Sequence, residues 1–314
     1  MLRAVQEPTP PAPEHGDAPR RRLAAELPLN FVRGGLMGTA DMVPGVSGGT
    51  VALVVGVYER LVWSLRSFMG APLAGVRGSG REARERLREV EWTLVLPLVL
   101  GILTAIAIGA GTLPGLIEEH PVETSALFFG LILASLAVPW RLLDRVGRRE
   151  GALILAGAVF AFLLVGLAER EIADPALPLV FLGAAVAICA MVLPGVSGAY
   201  LLLLIGIYKP TLEAVSDRDV VYIGVFFLGV VAGLAVFARV LGWLLEHHHD
   251  TTMAALLGLM AGSLRALWPW AGDDRALLAP PDAVDAGRAL ALAAIGFVLV
   301  TALVWAGRRR ARGL

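Results

Sequence analysis

The sequence is short of the residues that soluble and secreted proteins depend on. Only 17% of its 314 residues are charged, against about 25% in a typical soluble domain. Cys189 is the single cysteine, which excludes a disulfide scaffold, and a net charge of zero argues against a nucleic-acid-binding protein. Hydrophobic residues make up 57% of the chain. The charges fall in short blocks between long uncharged runs, a pattern typical of a multi-pass membrane protein.

The two ends of the chain are the exceptions to this hydrophobicity. Residues 1–27 are rich in proline, end near Arg20, Arg21 and Arg22, and hold no apolar core of signal-peptide length. Such a segment buries too little surface to offset its ordering entropy, so we expect a disordered tail there. Residues 308–314 are predicted to form a second, basic tail.

Uncharged stretches are the candidate membrane segments, and most match the roughly 20 residues needed to cross hydrocarbon. They cover residues 92–117, 124–140, 151–168, 175–208, 220–238, 251–264 and 289–307. The stretch 175–208 is too long for one span. Pro194 and Gly195 lie in its interior and remove helical hydrogen bonds, so we predict two segments that break there.

A short motif around this break occurs twice in the chain. Pro-Gly-Val-Ser-Gly stands at residues 44–48 and again at 194–198, and each copy is followed by Gly-x-Tyr, at 56–58 and 206–208. Three further apolar stretches follow each copy, so an odd number of crossings separates the copies. We therefore predict an all-α polytopic membrane protein built from two inverted-topology repeats, residues 28–168 and 169–307. Each repeat would hold a Pro-Gly-broken re-entrant helix pair followed by about three transmembrane helices.

Basic residues suggest the orientation of the chain. They concentrate before the first apolar segment, in residues 66–88, in residues 141–149 and at the C-terminus. Loops rich in Lys and Arg face the cytoplasm. We therefore expect both termini, and both predicted tails, on the cytoplasmic side.

The two Pro-Gly-Val-Ser-Gly loops are the candidate binding site, which we expect near the midplane of the membrane. Irregular backbone at membrane depth is tolerated only where it is buried in protein or lines a cavity. Each loop leads into a new helix, whose N-terminal amides suit an anion, phosphate above all. Alternatively, Gly and Ser are merely small residues that allow close helix packing. The predicted phosphate-binding residues are Ser47, Gly48, Gly49, Thr50, Ser197 and Gly198, with Arg33 or Arg239 balancing the charge; Pro44, Gly45, Pro194, Gly195, Tyr58 and Tyr208 shape the motif.

Ionisable residues at membrane depth are functional candidates because burying them is costly. Asp41 lies just before the first motif, whereas the equivalent residue of the second copy is Met191. A single carboxylate suits a coupling proton; the alternatives are a cap on the broken helix or an ion pair with Arg33. Glu59 is a second coupling candidate, or an interfacial residue. The run at 247–249 points in three directions on a helix and favours a solvated loop, so neither a metal nor a cofactor is expected.

The motif residues resemble a known family. The first signature comprises residues 38–50 with Gly56, Tyr58 and Glu59, and the second comprises residues 190–198 with Gly206 and Tyr208. They are similar to the paired signatures of the PopT family of polyprenyl-phosphate translocases. The resemblance covers residues 28–307. It implies a non-enzymatic protein of the bacterial plasma membrane that returns undecaprenyl phosphate, the lipid carrier of cell-wall precursors, from the outer to the cytoplasmic leaflet. It also suggests coupling to protons or another ion.

One departure from the family pattern bears on the substrate. The second motif ends in Ala199 and Tyr200, where a Ser and a Phe-like residue are expected, and the polyprenyl chain length stays open. Two other functions also remain open. A small-anion channel or transporter would use the same loops. A lipid phosphatase would need a nucleophile with an acid or base, and the His run at 247–249 suits that role poorly.

Overall fold

The helices of the first half of the chain carry the first motif. The computed structural model describes residues 17–43, 45–272 and 276–312. The helices before residue 166 are α1 (Asp17–Asp41), α2 (Gly48–Val54), α3 (Tyr58–Val76), α4 (Gly80–Glu89), α5 (Trp92–Gly109), α6 (Leu113–Glu119), α7 (Pro121–Ser135), α8 (Ala137–Leu142) and α9 (Arg148–Val165).

The second half repeats the order of short broken helices followed by long ones. Its helices are α10 (Leu177–Val192), α11 (Gly198–Ile205), α12 (Tyr208–Ser216), α13 (Val220–His247), α14 (His249–Ser263) and α15 (Ala283–Arg312), with a 3-10 turn over Leu264–Leu267. The described residues contain four helical segments long and apolar enough to cross a membrane, Trp92–Gly109, Pro121–Leu142, Val220–His247 and Ala283–Ala306. The pair α11 and α12, bent by 99°, adds a fifth if it counts as one span. The regular elements of the described residues are all helices, and the chain is a multi-pass membrane protein.

Both predicted helix breaks are present and have the same backbone form. The chain leaves the helix at Asp41 and re-enters it at Gly48 in the first copy, and does so at Val192 and Gly198 in the second. Gly45 and Gly195 both have φ +85°, and Gly56 and Gly206 have φ +73° and +91°. Residues with side chains rarely adopt such values, so the glycines of each motif are required by its turns.

The predicted N-terminal tail is corrected in part. Residues 1–16 lie outside the described residues, but α1 begins at Asp17, well before the predicted boundary at residue 28. Pro19 falls in the first turn, where its missing N–H costs no helical hydrogen bond. Leu23, Ala24 and Ala25 then favour the helix. At the other end, α15 continues to Arg312, through most of the predicted basic tail.

The long helices pack closely through glycine, and partners are exchanged between the halves. α1 packs against α5 and α10 against α13, whereas α7 packs against α15 and α9 against α14. At Gly296 of α15 an added Cβ would collide with the carbonyl oxygen of Leu127 in α7, and at Gly258 of α14 with that of Ile154 in α9. Small residues let helix backbones approach in this way inside a membrane. The two halves therefore share one helical body.

We predict that Gly296→Ala destabilises the protein while Gly287→Ala does not. Both residues lie in α15, where alanine favours the helix by up to about 1 kcal/mol. A Cβ at 296 must push α7 away, at a cost of about 1–3 kcal/mol, whereas a Cβ at 287 meets no described atom within 4 Å. Thermal unfolding in detergent measures the difference. Equal melting temperatures for the two variants would contradict the close contact of α7 and α15.

Candidate functional site

The two motif loops touch and satisfy each other's polar groups. Thr50 Oγ1 accepts a hydrogen bond from the Gly195 amide at 2.9 Å. Ser47 Oγ lies 3.3 Å from the carbonyl oxygen of Leu193, to which it donates, and accepts from the Gly49 amide at 3.2 Å. Ser47 and Thr50 are only 2% and 1% exposed. The first loop is thus bonded to the second by side chains that are almost completely shielded from solvent.

Asp41 caps the helix that follows the first loop. Its Oδ1 accepts a hydrogen bond from the Gly48 amide, the first of α2, at 2.6 Å. This confirms the alternative that Asp41 is a cap on the broken helix. Arg33, the other expected partner, donates instead to Asn30 Oδ1 at 2.8 Å. Asn30 is fully buried and donates in turn to the carbonyl oxygen of Thr93 in α5.

The start of α11, after the second loop, differs from the start of α2. Ser197 caps it by accepting a hydrogen bond from the Tyr200 amide at 3.4 Å. Met191, in the place equivalent to Asp41, offers no carboxylate. None of the described residues accepts a hydrogen bond from the amides of Gly198 or Ala199. The helix after the first loop is therefore capped by a carboxylate of the protein itself. The helix after the second loop begins with amides that have no such anionic acceptor among the described residues.

Tyr200 has a structural role. In the sequence it was noted only as a departure from the family motif. Its hydroxyl lies 3.0 Å from the carbonyl oxygen of Val165 and 2.9 Å from that of Leu167, just past the end of α9. These carbonyls have no helical partner because α9 ends there. Tyr200 thus joins α11 to α9, and only the position of the distant α9 could have revealed this role.

A cavity of about 500 Å³ lies between the two loops. Apolar residues of α5, α9 and α11, such as Ile106, Leu164 and Leu203, form much of its wall. Its described lining includes two carboxyl groups and no Lys or Arg. The polar residues that line it are Asp41, Glu169, Ser197, Tyr200, Tyr208 and Ser263.

Five of the predicted site residues line this cavity, and most of the others are buried beside it. Asp41, Gly45, Gly195, Ser197 and Tyr208 line it. A further group is buried within the paired loops and in the short helices that follow them: Ser47, Gly48, Gly49, Thr50, Pro194 and Gly198. Tyr58 is buried in the adjoining hydrophobic core, and Pro44 lies outside the described residues.

The predicted cations and Glu59 do not reach the cavity. Arg33 contacts Asn30, as above, and Arg239 is exposed on α13. Glu59 Oε1 lies 3.1 Å from His249 Nε2, on the first residue of α14. The run at 247–249 is therefore not simply a solvated loop, because α14 begins within it and its last histidine contacts α3.

The cavity and these ion pairs lie at opposite ends of the long helices. We call the end that carries residues 66–91, 141–149 and 246–250 the Arg-rich face. Arg66 pairs with Glu246 there at 3.1 Å, near the contact of Glu59 with His249, and both join α3 to the second half. α5, α9 and α14 begin at this face, and the cavity is lined by residues at or just past their far ends. The cavity thus lies toward the face opposite the Arg-rich one.

Comparison with known proteins assigns the chain to a family. Residues 37–280 match the VCA0040-like family, described as undecaprenyl phosphate translocase-like. The chain belongs to this family. A polyprenyl-phosphate transporter of Vibrio cholerae is 38% identical, over 76% of this chain and 77% of its own length. Another, of Staphylococcus aureus, is 26% identical over 77% of this chain and 86% of its own. No solved structure matches the chain. Family membership confirms the resemblance drawn from the paired motifs.

We predict that Thr50→Val weakens the contact between the loops and Thr50→Ser preserves it. Valine has nearly the shape of threonine but leaves the buried Gly195 amide without its acceptor, which costs about 1–3 kcal/mol. Serine keeps the hydroxyl. Thermal unfolding in detergent should therefore rank wild type and Thr50→Ser above Thr50→Val. A Thr50→Val variant as stable as wild type would show that the loops do not depend on this bond.

Proposed function

We propose that the chain is a translocase for undecaprenyl phosphate, which it returns from the outer to the cytoplasmic leaflet of the bacterial plasma membrane. Two relatives named polyprenyl-phosphate transporter support the substrate class. A lipid monophosphate needs a polar chamber for its head and an apolar exit for its chain. The cavity between the loops offers the first, and the lipid-facing ends of α5 and α9 offer the second.

The observation that carries this proposal is the Asp41 carboxylate on the first amide of α2. It is an anionic group held at the start of a broken helix. At the equivalent end of α11, Met191 offers no such group, and the amides of Gly198 and Ala199 have no acceptor among the described residues. A helix N-terminus favours phosphate through its amides and its dipole. We assign the lipid phosphate to this end, with Ser197 and Gly198 in contact and the first loop as its support.

The polyprenyl chain would stay in the bilayer while its head enters the cavity. Ile106 and Leu164 line the cavity. Their neighbours Ile108 and Leu163 are 73% and 60% exposed on the outside of the same helices. An apolar surface thus runs from the cavity wall to the lipid, along which a long isoprenoid chain remains buried.

Electrostatic repulsion gives Asp41 its proposed role in coupling. A phosphate in this cavity would share it with the carboxyl groups of Asp41 and Glu169, and like charges repel strongly in a medium of low dielectric constant. A proton on Asp41 removes one of these charges. We propose that Asp41 takes up the coupling proton when the phosphate enters.

Two further elements of the proposal concern architecture. Positive φ angles at both pairs of motif glycines, and the exchange of partners between α7, α9, α14 and α15, support two inverted repeats whose broken helices are re-entrant. The Arg clusters support an Arg-rich face in the cytoplasm, together with both termini. In this orientation the cavity lies toward the outer leaflet.

Substrate binding tests the proposal directly. Purified protein should bind undecaprenyl phosphate in preference to undecaprenyl pyrophosphate and chloride. Ser197→Ala should weaken monophosphate binding by about tenfold, the size of one lost charge-assisted hydrogen bond. Ser135→Ala is the matched control, because Ser135 is buried but donates within α7 to the Leu131 carbonyl. Chloride binding without lipid binding would replace the proposal with a small-anion transporter.

Asp41→Asn tests the coupling step. The amide keeps an oxygen that can accept from Gly48 but cannot take up a proton. We expect the variant to bind undecaprenyl phosphate and to fail to move it between leaflets of proteoliposomes under a proton gradient. Glu59→Gln is the comparison, because Glu59 lies at the Arg-rich face. If Glu59→Gln fails and Asp41→Asn transports normally, Glu59 is the coupling residue.

A further inference from the structure

A second, smaller pocket adjoins the mouth of the central cavity. Its volume is about 360 Å³, and it shares Glu169, Leu203 and Tyr208 with the cavity. We call this pocket the vestibule. Its other charged lining residues are Arg170, Glu171 and Lys209. The shared residues place the vestibule directly beside the cavity, toward the face opposite the Arg-rich one.

Two cationic side chains, set among the carboxylates of Glu169 and Glu171, distinguish the vestibule from the cavity. The described lining of the cavity contains carboxyl groups and no Lys or Arg, whereas Arg170 and Lys209 both line the vestibule. A phosphate approaching the cavity from this face therefore meets its cationic contacts before it enters. Arginine and lysine are the side chains that bind phosphate in proteins.

The backbone holds these cations in a fixed place. The Arg170 amide donates to the carbonyl oxygen of Leu203 at 3.1 Å, and the Ile172 amide donates to that of Gly206 at 3.0 Å. The linker before α10 is thereby fastened along the end of α11. Lys209 is the second residue of α12 and lies three residues after the left-handed Gly206. Both cations are therefore positioned by the backbone of the second motif.

Lys209 can exchange its present carboxylate partner for a phosphate. Its Nζ donates to Glu171 Oε1 at 2.7 Å, and the two side chains are 60% and 59% exposed. Exposed ion pairs of this kind contribute little stability, so a phosphate can take the place of the Glu171 carboxylate. Leu212, 53% exposed, forms an apolar wall beside the charges. A lipid chain can lie against it while the head contacts the cations.

We infer that the vestibule is a docking site for the phosphate monoester head of a lipid, which Arg170 and Lys209 bind before it enters the central cavity. This inference rests on the proposed function. It assigns recognition of the charged head to the vestibule, and the cavity then holds that head beside a protonated Asp41. Glu171 acts as the anion that holds Lys209 in place until the phosphate arrives.

The test uses variants with opposite expected effects. Binding of undecaprenyl phosphate to the full chain in nanodiscs is measured at low salt and at about 1 M salt, where the Debye length is about 3 Å. Arg170→Gln with Lys209→Gln should weaken binding about tenfold at low salt, as for two lost surface charge contacts. Glu171→Gln should strengthen it, because it removes the competing carboxylate. High salt should abolish both differences.

The control is Arg288→Gln, an exposed basic residue of α15 that lines neither pocket. It should bind like wild type. If the double variant also binds like wild type, or if Glu171→Gln weakens binding as the double variant does, the docking site is refuted while the proposed function stands. If wild type itself fails to bind the lipid, the proposed function fails instead. Inorganic phosphate serves as the second probe; binding of it as tight as that of the lipid would refute a lipid site.

Discussion

The hydrogen bonds between the two motif loops are the constraint on which the rest of the structure depends. A helix interrupted at membrane depth exposes amides and carbonyls that no water is present to satisfy. Here the first loop supplies Ser47 and Thr50, which bond to Leu193 and Gly195 of the second. Because the loops must meet, the two halves of the chain meet with them, and the space left beside the contact is the cavity.

Local rules made the helix breaks predictable. A lone proline does not end a helix in this chain, since Pro28, Pro72 and Pro97 lie inside helices. The full motif, a proline followed by glycine with a further glycine close by, predicted both breaks correctly. The left-handed turns at the motif glycines occur twice because the motif itself occurs twice. Family membership could also be read from the motif, because its spacing is specific. The predicted start of α1 was wrong because a helix-favouring segment follows Pro19. The proline-rich composition of the tail as a whole masked the helix propensity of this segment.

Side-chain partners were less predictable because they depend on helix rotation and on distant elements. Arg33 and Asp41 lie on one helix, yet Arg33 bonds to Asn30 while Asp41 reaches Gly48 across the break. Arg239 interrupts an apolar stretch but faces outward on α13. Tyr200 contacts carbonyls at the end of α9, far away in sequence. The pair of Arg33 with Asn30 has the i,i+3 spacing of one helix face. No pattern within a single segment, however, determines the contacts of Asp41 and Tyr200.

The exchange of helix partners has a consequence for how the chain is made. In the first half, α7 and α9 each present a glycine-containing face, but the helices that cover those faces are α15 and α14, which are synthesised later. The first half therefore leaves the ribosome with two unmatched surfaces in the lipid. It reaches its final packing only when the C-terminal helix has been inserted. Despite its internal repetition, the protein is thus a single folding unit, and its last helix completes the earliest half.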